Sequence, residues 1–224
     1  IPGDTSRLTI DIDLQKFVAN RVRDESAGIV VMNVHTGEIL SIASTPSFDP
    51  NDFNNGISQK KWDSLRGDIR KPLLNKAVSG QYSPGSTFKM IVALAALEAG
   101  IIEADEEKNC SSEFKIGNRV AHCWNKNGHG NINVDQALAQ SCDVFFYDLA
   151  LEVGIDKIHS MAARFGIGNR FNIGIMSEAR GINPNNDWKI GSQGSRWQGG
   201  DTINVGIGQG FVSTTALQLA VMCS

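Results

Sequence analysis

A chain of 224 residues, 41% of them apolar and 20% charged, can bury a substantial core and reads as one large domain or a piece of one. Its net charge of −3 and pI near 5.8 give no basic field, which argues against a nucleic-acid partner. The longest strongly apolar run, Met90 to Leu97, is too short to cross a bilayer, and Ile1-Pro2-Gly3-Asp4 has neither the basic start nor the apolar stretch of a signal peptide.

Residues 7–12 alternate and predict a short strand, followed by a helix over 13–23 with Leu14, Phe17, Val18 and Val22 on one face. Residues 28–34 and 39–43 are β-rich around the turn His35-Thr36-Gly37-Glu38, which predicts a hairpin. Both strands are almost continuously apolar, so a sheet covered on both faces is expected. Residues 44–75 turn polar, with Pro46, Pro50, Gly56, Gly67 and Pro72, and predict a long loop region. A helix is predicted over 86–99, closed by Gly100 as a left-handed cap. Residues 105–133 read as a loop-rich insert. Helices are predicted over 134–140, 143–153 and 155–165, residues 166–200 as irregular, and a last helix from about Ser213. No internal repeat or low-complexity tract is present.

Ser-x-x-Lys occurs three times, at Ser58/Lys61, Ser86/Lys89 and Ser112/Lys115. The spacing alone is weak, because about one match is expected by chance in a chain of this size. Context favours Ser86. Pro84 and Gly85 make a tight approach to an apolar helix, and Lys89 lies one turn on, on the same face as the Ser86 hydroxyl. The free N–H groups of a helix start favour developing negative charge. A serine becomes a nucleophile when a base takes its proton, an amine does so only when neutral, and burial disfavours an amine's charged form. The bland alternative is a capping serine with a solvated lysine beside it. A second short pattern, Ser141-Cys142-Asp143, follows between two predicted helices, and Ser47-Phe48-Asp49 matches it by chance. An S-x-x-K at a helix start followed by S-x-[DN], with a third K-T-G element, is the set found in penicillin-binding proteins and class A β-lactamases.

The chain resembles the transpeptidase domain of class B penicillin-binding proteins, of the penicillin-binding protein 2 type that serves cell elongation. The likeness rests on "GIVVMNVHTGEILSIASTPSFDPNDFNNGIS", "YSPGSTFK", "CWNKNGHGNINVDQALAQSCDVFFYDLA" and "WQGGDTINVGIGQG", in that order. The resemblance implies an α+β penicillin-binding transpeptidase/serine β-lactamase-like fold, with a mainly antiparallel sheet, flanking helices and a helical lobe. It implies D,D-transpeptidation, with Ser86 as the acylated nucleophile, Lys89 as the general base for acylation, Ser141 relaying protons to the leaving amine and Asp143 in the third place of the second motif. The wider superfamily usually has Asn in that place. Gly85, Thr87, Gly208 and Gly210 would line the substrate site, and "GIGQG" is expected to form a tight turn near its floor. The implied partners are the D-Ala-D-Ala end of a peptidoglycan stem peptide, β-lactams and a membrane glycosyltransferase. No cofactor is required for the chemistry. The same likeness implies a periplasmic catalytic domain preceded by a membrane anchor and a pedestal domain. The alternatives are a β-lactamase or D,D-carboxypeptidase of the same fold, and a non-catalytic penicillin-binding sensor or scaffold. The family's K-[ST]-G triplet is absent here, since none of the lysines is followed by Thr-Gly or Ser-Gly. The expectation is therefore a partial transpeptidase domain over 1–224, incomplete at its C-terminal side.

Three of the four cysteines cluster with a histidine: Cys110, Cys123, His129 and Cys142, with twelve, five and twelve residues between them. Three thiols and an imidazole can hold a structural zinc, though not at the usual knuckle spacing. A Cys110–Cys123 disulfide and simple free thiols are the alternatives. Trp124 is expected to shield the site, and Cys223 to be a small buried hydrophobe.

Overall fold

The computed structural model describes residues 5–54 and 56–224, so Ile1 to Asp4 lie outside the described residues. Residues 7–11 are extended without forming a strand. Asp11 ends this segment by accepting hydrogen bonds from the N–H groups of Asp13 and Leu14, which starts helix α1 (Ile12–Arg21). The alternation read as a strand reflects a looser attachment, in which Thr9 Oγ1 and the Asp11 N–H donate to the carbonyls of Ile39 and Leu40 at 2.6 and 2.9 Å.

The hairpin forms as expected. Strands β1 (Ala27–Met32) and β2 (Ile39–Thr45) pair antiparallel, with Ala27 opposite Thr45 and an irregularity at Val31/Met32. β1 is half-buried throughout and β2 fully buries only Ser41, Ala43 and Thr45, so the hairpin is more open than its apolar sequence predicts. Gln15 of α1 clamps β2, donating to the Ile42 carbonyl and accepting from Ser41 Oγ and the Ile42 N–H, each at 2.9 Å. The expected loop over 44–75 contains a 3-10 turn (Pro50–Phe53) and helix α2 (Gln59–Gly67). Ser58 caps α2 by accepting the Lys61 N–H, so this Ser-x-x-Lys match is a helix cap. These elements, with residues 170–180 and 215–224, form one of two compact units. Its core is Ala77, Val78 and Leu217, against Val30, Ile42, Phe171 and Val221.

The second unit comprises residues 82–169 and 181–214. A 3-10 turn (Gly85–Phe88) leads into helix α3 (Lys89–Glu98), and Gly100 takes the expected left-handed cap at φ 61°. The insert is more ordered than a loop. Strands β3 (Lys108–Cys110) and β6 (Gly130–Ile132) pair antiparallel around a second antiparallel pair, β4 (Glu113–Ile116) and β5 (Arg119–His122). Helix α4 (Val134–Ala139) opens on an Asn133/Gln136 capping box, and α5 (Asp143–Val153) and α6 (Ile155–Arg164) turn about Gly154 at φ 77°. Phe88, Ile91, Phe145, Phe146, Leu149 and Ile158 are fully buried and form the centre of this unit. Residues 166–200, read as irregular, hold α7 (Asn186–Gln193) and the start of α8 (Gly199–Gly206). At Gly206 a β-carbon would lie 2.6 Å from Ala150 Cβ, so the glycine lets α8 approach α5 closely. Helix α9 (Ala216–Cys223), capped by Thr215, belongs to the first unit, and Cys223 at its end is exposed, contrary to expectation. No described helix is long and apolar enough to cross a membrane.

Candidate active site

Ser86 sits in the 3-10 turn just before α3, and two glycines fix the turn's position. Gly85 has φ 60° and donates its N–H to the Gly208 carbonyl at 2.9 Å. Gly208, at φ 70°, closes α8 by donating to the Val205 carbonyl, while Gly210 at φ 72° passes over Asn204. A β-carbon at Gly208 would lie 2.0 Å from the Gly85 carbonyl oxygen. "GIGQG" is thus the end of α8 followed by a tight turn, seated against the segment that carries Ser86. Tyr82 and Thr214 exchange backbone hydrogen bonds at 2.9 and 2.8 Å and extend the same seat. Thr87 Oγ1 donates to the Pro84 carbonyl at 2.8 Å, which places this hydroxyl on its own turn.

Lys89 begins α3 with a side chain that is 1% exposed. Its Nζ donates to the Ser141 carbonyl at 2.8 Å, to Ser141 Oγ at 3.0 Å and to Asp143 Oδ1 at 2.7 Å. Ser141 Oγ in turn lies 2.8 Å from Ser86 Oγ. The four residues singled out from sequence therefore converge, and the path from the Lys89 amine to the Ser86 hydroxyl runs through the Ser141 hydroxyl. A hydroxyl can donate and accept at once, so it can pass a proton either way along this path. A carboxylate facing a buried ammonium offsets much of the cost of desolvating it.

The turn between α4 and α5 makes this convergence possible. Ser141 takes a left-handed conformation at φ 51°, and Cys142 becomes the N-cap of α5, its Sγ accepting the Phe145 N–H. Ser141 and Asp143 face Lys89, while the Cys142 Sγ lies with those of Cys110 and Cys123 and the imidazole of His129. The four ligand atoms lie within 4.8 Å of one another. Cys110 Sγ and Cys123 Sγ are each 3.5 Å from His129 Nδ1. A tetrahedral zinc with its usual bond lengths needs a sulfur-to-nitrogen edge of about 3.5 Å, so the donor set fits such an ion. Burial pushes the Cys123 thiol up, but N–H donors of Asn125, Asp143 and Val144 more than reverse this and hold it below the ordinary thiol value. Burial pushes the Cys142 thiol up strongly. None of the four cysteines is in a disulfide in this structure, Cys110 and Cys123 included.

Residues 27–224 match the family described as penicillin binding protein transpeptidase domain. The chain belongs to that family. It is 38% identical over 221 residues to the peptidoglycan D,D-transpeptidase MrdA of Acinetobacter baumannii, covering 98% of this chain and 33% of the relative. It is also 38% identical over 220 residues to MrdA of Escherichia coli K12, covering 97% and 35%. Among solved structures it resembles Pseudomonas aeruginosa PBP2 in complex with WCK 5153, with a TM-score of 0.91 and 38% identity over 96% of this chain and 49% of that one. It resembles equally well PBP2 of Helicobacter pylori in complex with MreC, with a TM-score of 0.90 and 37% identity over 94% and 40%. The chain is a transpeptidase-fold member of the PBP2/MrdA type and spans about a third of the curated relatives' length.

Within this penicillin-binding transpeptidase domain, one residue has contacts that the sequence did not indicate. Trp124, expected to shield the cysteine cluster, packs on its His129 while staying largely exposed. It is 62% exposed, its ring meets His129 edge-on at 5.4 Å, and its indole N–H reaches the Gln140 and Ser141 carbonyls. A tryptophan directly after a candidate ligand was the only signal for it.

Proposed function

We propose that this chain carries the acylation half-site of a peptidoglycan D,D-transpeptidase of cell elongation. The observation that carries the reading is the Lys89 Nζ–Ser141 Oγ–Ser86 Oγ path, at 3.0 and 2.8 Å, within the penicillin-binding transpeptidase family. Ser86 Oγ attacks the penultimate D-Ala carbonyl of a stem peptide, forming an O–C bond as the C–N bond to the terminal D-Ala breaks. As a base, Lys89 must carry one proton fewer than the three hydrogen bonds it donates in this structure require; in that form it takes the Ser86 proton through Ser141, and the proton returns along the same path to the departing amine. A second stem's amine then attacks the ester, and its proton goes back to Ser86. The Ser86 backbone N–H, at the start of a helical turn, would stabilise the oxyanion in part. β-Lactams acylate the same oxygen as substrate mimics.

The relatives named above, peptidoglycan D,D-transpeptidases by name, support the reading, and the H. pylori complex suggests an MreC-like partner. A membrane glycosyltransferase partner and a periplasmic location belong to the same proposal. Structural zinc held by Cys110, Cys123, His129 and Cys142 is its metal component. It would staple the insert to the turn before α5 and take no part in the bond changes.

Fluorescent penicillin on the full-length protein tests the proposal. A stable covalent adduct at Ser86, abolished in Ser86→Ala, is expected. Rapid hydrolysis of the adduct would instead indicate a β-lactamase, and absence of any adduct a scaffold.

A further inference from the structure

Lys89, Ser141 and Ser86 line up only because the Ser141 backbone holds a left-handed φ of 51°. That conformation is unfavourable for a residue with a β-carbon and persists only when its surroundings fix it. Some of the restraint is local, since the Ser141 and Cys142 N–H groups donate to the Leu138 and Ala137 carbonyls at 3.1 and 2.9 Å. The carbonyl side of the turn is held from elsewhere. The indole N–H of Trp124 is shared between the Gln140 carbonyl at 3.0 Å and the Ser141 carbonyl at 3.1 Å. The Trp124 backbone N–H reaches past Cys142 to Asp143 Oδ2 at 3.2 Å. One residue therefore grips the turn on both sides of Cys142. It is itself fixed by its place after Cys123 and by the edge-on contact with His129.

The Ser141 carbonyl accepts from two donors, Lys89 Nζ and the Trp124 indole. A peptide oxygen has two lone pairs, so both are used. Without the indole, Lys89 would be this carbonyl's sole donor, and the peptide between Ser141 and Cys142 could tilt toward it while the Gln140 carbonyl lost its indole partner. The Ser141 hydroxyl would then leave the line between amine and nucleophile.

We propose that Trp124 is a positioning residue for acylation. Its indole N–H holds the Ser141 turn so that the Ser141 hydroxyl bridges Lys89 and Ser86. The proposal rests on the catalytic reading above, because it assigns to Trp124 an effect transmitted through Ser141. The indole need not touch the substrate, although one face of it is exposed.

Trp124→Phe in the full-length protein keeps an aromatic ring and the backbone N–H and removes the indole donor together with the fused five-membered ring. The rate of penicillin acylation is followed against penicillin concentration, with zinc content and unfolding temperature measured on the same preparations. The limiting acylation rate should fall about tenfold, as expected for loss of one shared hydrogen bond, with half-saturation, metal content and unfolding temperature unchanged. In a Ser141→Ala background, where the relay hydroxyl is gone, Trp124→Phe should slow acylation less than twofold further. A wild-type limiting rate in Trp124→Phe overturns the proposal. So does a rise in half-saturation alone, which would make Trp124 a ligand contact, and so does a fall in metal content or unfolding temperature matching the loss of rate. If wild-type protein is not labelled at Ser86 at all, the catalytic reading falls first and this proposal goes with it.

Discussion

Lys89 and Asp143 form an ion pair at 2.7 Å in which the lysine side chain is 1% exposed and the aspartate 18%. The carboxylate's other oxygen accepts the Trp124 backbone N–H. Asp143 thus accepts on both oxygens, and this answers why the place usually held by Asn is Asp here. An amide has one acceptor oxygen and one N–H donor end, so in Asp143→Asn either Lys89 or the Trp124 N–H would face another donor. We expect this variant to lose about 1–3 kcal/mol of stability. Asp143→Ala should lose about 3 kcal/mol or more by leaving Lys89 unpaired. Denaturant unfolding and acylation rates check both values, and an Asn variant indistinguishable from wild type would refute the argument.

Gly208→Ala should be among the most damaging single-methyl changes in the chain. The added carbon would lie 2.0 Å from the Gly85 carbonyl oxygen, which is backbone and cannot rotate away. We expect about 1–3 kcal/mol of destabilisation from overpacking, with a further contribution from the left-handed backbone. Ser86 labelling should fall at least tenfold, since any relief displaces the nucleophile's turn (roughly 1.4 kcal/mol of barrier). Gly210→Ala, whose new carbon would meet Asn204 Cβ at 3.0 Å, is the milder comparison. Equal labelling of Gly208→Ala and wild type would show that the turn does not depend on this seat.

How much of this could be read from sequence differs by kind of feature. The hairpin and helices α3 to α6 announce themselves through apolar runs, caps and turn glycines. Helix α7 does not, because Asn186, Asp187, Gly191 and Ser192 are weak helix formers and its Asn185 cap carries the start. The choice of Ser86 among three matches was legible in Pro84-Gly85. The resemblance gave Ser141 a relay role, but its place between Lys89 and Ser86 was not legible, since a positive φ at a serine leaves no mark in sequence. The ligand types of the cysteine cluster could be counted, but only the fold shows that Cys142 caps a helix while its two neighbours face the lysine.

Zinc removal gives a third outcome to measure. Elemental analysis should find about one zinc per chain, lost in Cys123→Ser, and chelation should lower the unfolding temperature by several degrees. The acylation rate should fall with it, since Cys142 ties the cluster to Ser141. Four titratable thiols, no metal and an unchanged melt would remove zinc from the account.

Alkaline titration offers a check on Tyr147. Burial, then the Asp143 charge, pushes its hydroxyl up to about 12. The phenol's folded value thus lies above its unfolded value near 10, so the native state favours the neutral form. That contribution is intact below pH 10 and is lost between about pH 10 and pH 12. Wild-type protein should lose on the order of 2 kcal/mol more across this window than Tyr147→Phe, as followed by denaturant unfolding. Parallel losses in the two proteins would contradict the assignment.

The hydrogen bond from Gly85 to Gly208 joins positions separated by most of the second unit's sequence. On a ribosome the nucleophile is made early and its seat late. Until Gly208 has emerged, Gly85 has no partner carbonyl and the Ser86 turn lacks this seat, so the proposed chemistry should not switch on piecemeal as the chain grows. Nascent chains arrested before Gly210 clears the exit tunnel should remain unlabelled by fluorescent penicillin, and labelling of shorter chains would show that the nucleophile sets itself.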